Sequence, residues 1–146
     1  MAMFRKAPRA LKNILIVEDE PLVAFENELR LAEVGYQVVA TVDNEREAIA
    51  ALESRDVQLV LADVQLANGG DGVEVARIAR AKGVAVLFVT GNCPDMARQY
   101  ALGCLIKPYT ARDLVNAVHA IGEVLAGRKP KSTPRPLIWY EDEGAD

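Results

Sequence analysis

Short apolar runs divide this chain at near-regular intervals, at residues 14–17, 36–42, 57–62, 84–89 and 105–106, and between them apolar positions recur with helical spacing. Runs this continuous suit strands buried on both faces of a parallel sheet rather than strands with one wet face. After the first run, Pro21 occupies a first helical position, and Leu22, Phe25, Leu29 and Ala32 follow at helical spacing until Gly35 ends the helix. Asp43 is predicted as the N-cap of a second helix whose Ala48, Ile49 and Leu52 face inward. A third helix is predicted over 73–82, closed by Gly83, and a last one over 110–126, marked by Leu114, Val118, Ile121 and Leu125. Between the fourth and fifth runs only 95–100 has helical character, entered through Cys93-Pro94, so this connection is predicted as short turns and as the most mobile part of the domain. Strand and helix in alternation make βαβ units, hence an α/β fold on a five-stranded parallel sheet.

Outside that alternation the chain changes character. Residues 1–12 are a basic, irregular lead, 13–126 form the domain, and 127–146 are a tail that runs from basic and Pro-rich, through apolar Leu137-Ile138-Trp139-Tyr140, to acidic. The tail is too short for an output domain, which needs on the order of 40 residues or more to fold without a staple. Asn68-Gly69-Gly70 predicts a flexible loop after the third strand. A length of 146 residues with 51% apolar content supports one core. The net charge of -4 and pI near 5.1 exclude a basic face for direct nucleic-acid binding. No run is long enough to span a membrane, and no apolar export signal is seen, so the expected location is cytoplasmic and Cys93 and Cys104 are expected to be two ordinary thiols.

The candidate chemistry lies where strands end. Glu18-Asp19, Asp63, Thr90 and Lys107 each follow a predicted strand, and in a parallel sheet such positions share one edge. Carboxylates within about 5 Å repel by roughly 3 kcal/mol per pair at an effective dielectric near 20, so a divalent cation is implied. Oxygen ligands suit Mg²⁺, which favours phosphate oxygens in its shell. Asp63 stands alone and is the candidate nucleophile on phosphorus, Glu18 and Asp19 form a metal platform, and Lys107 and Thr90 would hold phosphoryl oxygens.

The residues in register resemble the response-regulator receiver family of two-component signalling. The matching stretches are Ile14-Leu15-Ile16-Val17-Glu18-Asp19-Glu20, Leu59-Val60-Leu61-Ala62-Asp63-Val64-Gln65-Leu66 with Gly70-Asp71-Gly72 behind it, Thr90-Gly91, and Lys107-Pro108-Tyr109. The resemblance implies a doubly wound sheet of order 2-1-3-4-5 with helices on both faces and a short or irregular fourth helix. It implies phosphoryl transfer from a histidine kinase onto Asp63, with Mg²⁺ on Asp19, Asp63 and the Gln65 carbonyl, and Glu18 acting through water. Thr90 would be the switch hydroxyl, Lys107 the partner of the phosphoryl group, and the Lys107-Pro108 bond cis. Gln65 and Asn92, neutral amides here, occupy the positions that tune water access. Receivers carry an aromatic switch residue where this chain has Cys104, and the interval from Thr90 to Lys107 is shorter than usual. Phe88-Val89-Thr90-Gly91 resembles the Phe-Ala-Thr-Gly motif of an alphaproteobacterial subfamily of single-domain receivers tied to general stress signalling.

A lone receiver would act as a phosphorylation-dependent switch or as a phosphate sink, as a monomer or weak dimer. Its expected partners are a histidine kinase and a phosphotransfer protein or downstream regulator, and its chemistry is limited to its own phosphorylation and dephosphorylation. The competing reading is a receiver-fold adaptor that binds proteins without phosphorylation. A haloacid-dehalogenase-type phosphatase is disfavoured because Gln65 stands where a second acid is wanted. His119, off the apolar face of the last helix, is read as solvated.

Overall fold

A computed structural model of the chain describes residues 9–66 and 69–140; residues 1–8 of the basic lead, Asn68 of the predicted flexible loop and the acidic end 141–146 lie outside the described residues. Alternating side chains decide the layers. In β1 (Asn13–Val17), Ile14 and Ile16 face one core while Leu15 and Val17 face another, and β3 (Leu59–Ala62), β4 (Ala85–Thr90) and β5 (Gly103–Ile106) divide in the same way. One core takes α2 (Glu45–Ser54) and α3 (Gly72–Ala81) through Ala48, Leu52, Val75, Ala76 and Ala79. The other takes α1 (Pro21–Glu33) through Leu31 and α4 (Ala111–Leu125) through Leu114, Ala117, Val118 and Ile121. With β2 (Gln37–Val42) beside β1, the parallel strands run in the order β2-β1-β3-β4-β5, as the resemblance implies.

Local chemistry accounts for the helix ends. Pro21 opens α1. Thr110 and Asp113 form a reciprocal capping box on α4. Asn44, not Asp43, caps α2, accepting the Glu47 N–H at 2.8 Å, while Asp43 holds the Asn44 amide from outside the helix. In place of a full helix between β4 and β5 the chain makes a six-residue 3₁₀ turn, Asp95–Tyr100, where the sequence left room for nothing longer.

Besides the α2 cap, the structure departs from the expectations drawn from the sequence at three places. The apolar stripe of α1 faces solvent: Leu22 is 84% exposed and Phe25 64%, whereas the buried positions are Ala24, Asn27 and Leu31. Leu31 anchors the inner face of α1 together with Ala24 and Asn27, and Leu22 and Phe25 are left on the outer face. Cys93 and Cys104 are not free thiols but a disulfide, with a Cα separation of 6.1 Å. The reason is tertiary: Cys104 sits in β5 opposite Phe88 of β4, and Cys93 is the third residue after β4 ends at Thr90, with only Gly91 and Asn92 between. Finally, the sheet has six strands. Residues of the tail form β6 (Leu137–Trp139), antiparallel to β5.

Backbone and side chains together hold β6. Ile106 N–H donates to the Pro136 carbonyl and Tyr140 N–H to the Leu102 carbonyl, each at 2.9 Å. Leu137 is buried against the α1–α4 side, and the Arg98 guanidinium lies 5.1 Å over the Tyr140 ring. Gly103 makes the close approach possible, since a Cβ there would stand 2.5 Å from the Ile138 carbonyl oxygen. Gly103→Ala should therefore detach β6 from β5. Hydrogen exchange should show lost protection at Ile106 and Tyr140 and a red-shifted Trp139 emission, with α1 and α4 protected as before; retained protection at both amides would mean that β6 pairs by another route.

Candidate functional site

Parallel strands ending together bring the charged groups to one edge of the sheet. Glu18 follows β1 and its N–H reaches the Val42 carbonyl at 2.9 Å, so β2 fixes its backbone. Asp63 follows β3 and its N–H reaches the Val17 carbonyl at 2.9 Å, so β1 fixes the acceptor. Lys107 follows β5 and its N–H reaches the Thr90 carbonyl at 2.9 Å, so β4 fixes the ammonium. The ladder that builds the sheet thereby sets the spacing of the site.

At its centre is the Lys107 Nζ, 2.9 Å from Glu18 Oε1, 3.0 Å from Asp63 Oδ2 and 3.4 Å from Glu20 Oε1. Glu18, Asp63 and Thr90 are buried, at 4%, 8% and 5% exposure. The Gln65 N–H donates to Asp63 Oδ1 at 3.3 Å, so both carboxylate oxygens are oriented. Beside them the Asn92 N–H points to Thr90 Oγ1 at 3.5 Å, and Gly91 and Asn92 are exposed. The Lys107-Pro108 bond is cis.

Burial pushes the Glu18 carboxyl up to about 7; its hydrogen bond with Lys107 pulls the other way, and the Asp63 charge adds to the rise. For Lys107, burial works against the charge, yet the hydrogen bonds to Glu18 and Asp63 prevail and raise its pKa above that of an ordinary lysine. One ammonium thus serves a set of carboxylates whose oxygens lie within 4.8 Å of one another. Such an oxygen-only, net-negative donor set is the chemistry a hard divalent cation completes.

The carboxylates drawn together are Glu18, Glu20 and Asp63, among the described residues. Asp19, expected with Glu18 as the metal platform, is half-buried and stands outside that group. Glu20 joins that group: its N–H donates to the Glu18 carboxylate at 3.2 Å and its own carboxylate reaches Lys107.

Three further contributors were not legible as site residues. Glu20 was read only as part of a matching stretch. Asn27, polar on the buried face of α1, donates to the Tyr109 hydroxyl at 2.9 Å and ties α1 to the segment after Lys107; a polar residue at the spacing Ala24, Asn27, Leu31 was the available signal. Gly72 lies against the acceptor itself, since a Cβ there would stand 1.8 Å from the Asp63 carbonyl oxygen, and its N–H bonds the Val64 carbonyl at 2.8 Å. His119, read as solvated, bonds the Tyr36 hydroxyl at 3.1 Å through Nδ1, away from the site.

Comparison with known proteins gives the family and the fold. Residues 14–119 match the family described as response regulator receiver domain. The chain is 38% identical over 79 residues to the phyllosphere-induced regulator PhyR of Methylorubrum extorquens, a match covering 53% of this chain and 30% of that protein. It is similar to the solution structure of SdrG from Sphingomonas melonis, with a TM-score of 0.65, 32% identity, and 76% and 96% of the two chains covered. A CheY-like receiver domain from Methanospirillum hungatei shares the fold at a TM-score of 0.71 and 24% identity, with 81% and 98% covered. The matches span 30% of the length of PhyR and 55% of that of the regulator PdtaR of Mycobacterium tuberculosis. Among the described residues no helix is long and apolar enough to cross a membrane.

The electrostatics of Glu18 generate a pH dependence. Its folded pKa, about 7, lies above the ordinary 4.5, so the native state binds the proton more tightly and stability falls as pH rises from about 4.5 to 7. Lys107 contributes a constant term over that window, because its own change falls above 10.5. With a chelator present, Glu18→Gln should abolish most of the wild-type loss between pH 5 and pH 8, a difference on the order of 1–3 kcal/mol in urea unfolding. Equal pH slopes for the two proteins would contradict it. Gly72→Ala should cost about 2 kcal/mol or more, because backbone rather than a flexible side chain must yield; unfolding midpoints check this.

Proposed function

This chain belongs to the response regulator receiver domain family, and we propose that it accepts a phosphoryl group on Asp63 from a phosphohistidine of a histidine kinase or phosphotransfer protein. The observation that carries the reading is the buried Asp63 carboxylate held at 3.0 Å by the Lys107 ammonium, at the sheet edge where Glu18 and Thr90 also converge. In the transfer, an Asp63 oxygen forms the bond to phosphorus as the phosphorus–nitrogen bond of the donor breaks, and the proton needed by the leaving imidazole comes from the donor side or solvent. Lys107 then exchanges its carboxylate partner for phosphoryl oxygens without leaving the pocket. Thr90 supplies a hydroxyl to another oxygen, moving from its present contact with the Asn92 N–H. Gln65 keeps Asp63 in the attacking orientation through its N–H. Mg²⁺, held by Asp63, Asp19 and the Gln65 carbonyl with Glu18 through water, would supply the positive charge that neutralises the transferring group.

The surroundings suit a helical donor. Leu22 and Phe25 lie exposed on α1, whose first turn follows the Glu18–Glu20 stretch directly. Between α1 and the Lys107–Ala111 segment a cleft of about 460 Å³ is lined by Val23, Asn27, Lys107, Pro108 and Tyr109. The resemblance of Phe88-Val89-Thr90-Gly91 to the Phe-Ala-Thr-Gly motif supports a place in general stress signalling, where the chain works as a switch read by a downstream regulator or as a sink that drains a kinase.

Intact mass after incubation with acetyl phosphate and Mg²⁺ tests the reading. One phosphoryl group should add to the wild type, none to Asp63→Asn or to a sample with chelator, and Lys107→Ala should slow the gain by roughly tenfold to a hundredfold, the scale of losing one charged transition-state contact. Labelling of Asp63→Asn at the wild-type rate would remove Asp63 as the acceptor.

A further inference from the structure

The Cys93–Cys104 bridge lies beside the switch hydroxyl and plays no part in the chemistry described above. Cys104 is in β5 with no exposed surface, opposite Phe88 on one side and Ile138 of β6 on the other. Cys93 is half-buried, so solvent reaches the pair only from its side. Between Thr90, the last residue of β4, and Cys93 lie only Gly91 and Asn92. Of these, Asn92 supplies the N–H that faces the Thr90 hydroxyl, and a Cβ on Gly91 would meet nothing within 4 Å. The loop that must move if Thr90 moves is thus fixed at one end by the β4 ladder and at the other by a covalent bond to the neighbouring strand.

We propose that Cys93 and Cys104 form a reversible thiol–disulfide site, oxidised by a low-molecular-weight disulfide such as oxidised glutathione, and that the oxidised form clamps the Thr90 loop to β5 and holds back the response to phosphorylation. The exposure of the two residues orders the chemistry. The Cys93 thiolate attacks one sulfur of the small disulfide and releases one thiol, giving a mixed disulfide on the accessible side. The Cys104 thiolate, out of reach of any external reagent, then attacks the Cys93 sulfur and expels the second thiol. Two protein thiols have given two electrons and two protons to one small disulfide, which leaves as two thiols. Excess thiol reverses both steps, again entering at Cys93.

Reduction frees more than the loop. The bridge joins residues 11 apart in sequence, and within that segment lies the 3₁₀ turn Asp95–Tyr100, a form with weaker hydrogen bonding than an α-helix. Opening the bridge therefore releases the whole connection between β4 and β5, while the ladder that positions Asp63 and Lys107 stays intact. The pair is a gate on the response and not on the acceptor. Its consequence rests on Asp63 being the acceptor; its redox chemistry does not.

Two measurements on the full chain separate these parts. First, the protein is equilibrated in reduced and oxidised glutathione, quenched with acid, alkylated with iodoacetamide in denaturant so that the buried Cys104 is reached, and weighed: both thiols should be labelled after the reduced buffer and neither after the oxidised one. Second, beryllofluoride with Mg²⁺ is titrated while Trp139 emission and the amide signals of Thr90 and Asn92 are followed. The reduced protein and Cys93→Ser should saturate at roughly tenfold lower beryllofluoride than the oxidised protein, a coupling in the usual range. A wild-type far-ultraviolet circular dichroism spectrum confirms that the variant folds. Thiols that stay free in oxidised glutathione, or a bridge that resists excess reduced glutathione, would overturn the site. Equal titrations for oxidised and reduced protein would overturn the gate while leaving Asp63 as acceptor. No response in any form would overturn the acceptor and the gate together, and the alkylation result would then stand as a property of the cysteines alone.

Discussion

One ammonium among several carboxylates is the constraint on which the rest of this molecule depends. Lys107 can satisfy Glu18 and Asp63 closely and Glu20 at longer range, but it cannot neutralise them all. At an effective dielectric near 20, each uncompensated pair at about 5 Å costs roughly 3 kcal/mol, a sizeable share of the stability of a domain this size. The fold bears that cost because the backbone leaves no way to avoid it: Glu18, Asp63 and Lys107 are each the first residue after a strand, held there by a backbone hydrogen bond to the neighbouring strand. A pocket that is electrostatically unfinished in this way gains most from ligands that bring positive charge and then phosphoryl oxygens. The raised pKa of Glu18 expresses the same imbalance from the side of the proton.

Position along the strand was legible because parallel strands bury both faces and end together. A continuous apolar run followed by a single polar residue marks a place where the chain leaves the sheet, and the runs before Glu18, Asp63, Thr90 and Lys107 located the edge without any knowledge of contacts. Which carboxylate meets which cation was not legible. Glu20 and Asp19 are neighbours of similar chemistry, and it is Glu20 whose N–H bonds the Glu18 carboxylate and whose own carboxylate reaches Lys107. The same holds at α2, where Asn44 caps although Asp43 is as good a capping residue by type.

Helix α1 shows a deeper limit of periodicity. Apolar residues at helical spacing locate a helix, but they point to its buried face only when burial in this domain is their reason for being apolar. In α1 the buried face is Ala24, Asn27 and Leu31, two of them small or polar, and Leu22 and Phe25 are left in water. Asn27 belongs inside because its amide finds the Tyr109 hydroxyl, a partner 82 residues away that no local pattern contains. The disulfide escaped for a parallel reason. Its cysteines are brought together by the β4–β5 pairing, and compartment arguments about thiols say nothing of proximity.

The tail makes the same point in the other direction, since Leu137-Ile138-Trp139-Tyr140 was visible as an apolar segment but its destination was not. A β5 without β6 would be an edge strand, offering unpaired N–H and C=O groups next to Cys104 and one step from Lys107. By pairing with Gly103, Cys104 and Leu105, β6 closes that edge with the chain's own backbone, and Gly103 is the residue that lets it come near enough. A three-residue strand makes only a short ladder, supplemented by the burial of Leu137 and by the Arg98 guanidinium over the Tyr140 ring. The edge is therefore covered but not sealed. Because Arg98 belongs to the 3₁₀ turn between the two cysteines, whatever loosens that turn also loosens the hold on β6, and the loop beside Thr90 and the far edge of the sheet are mechanically one element.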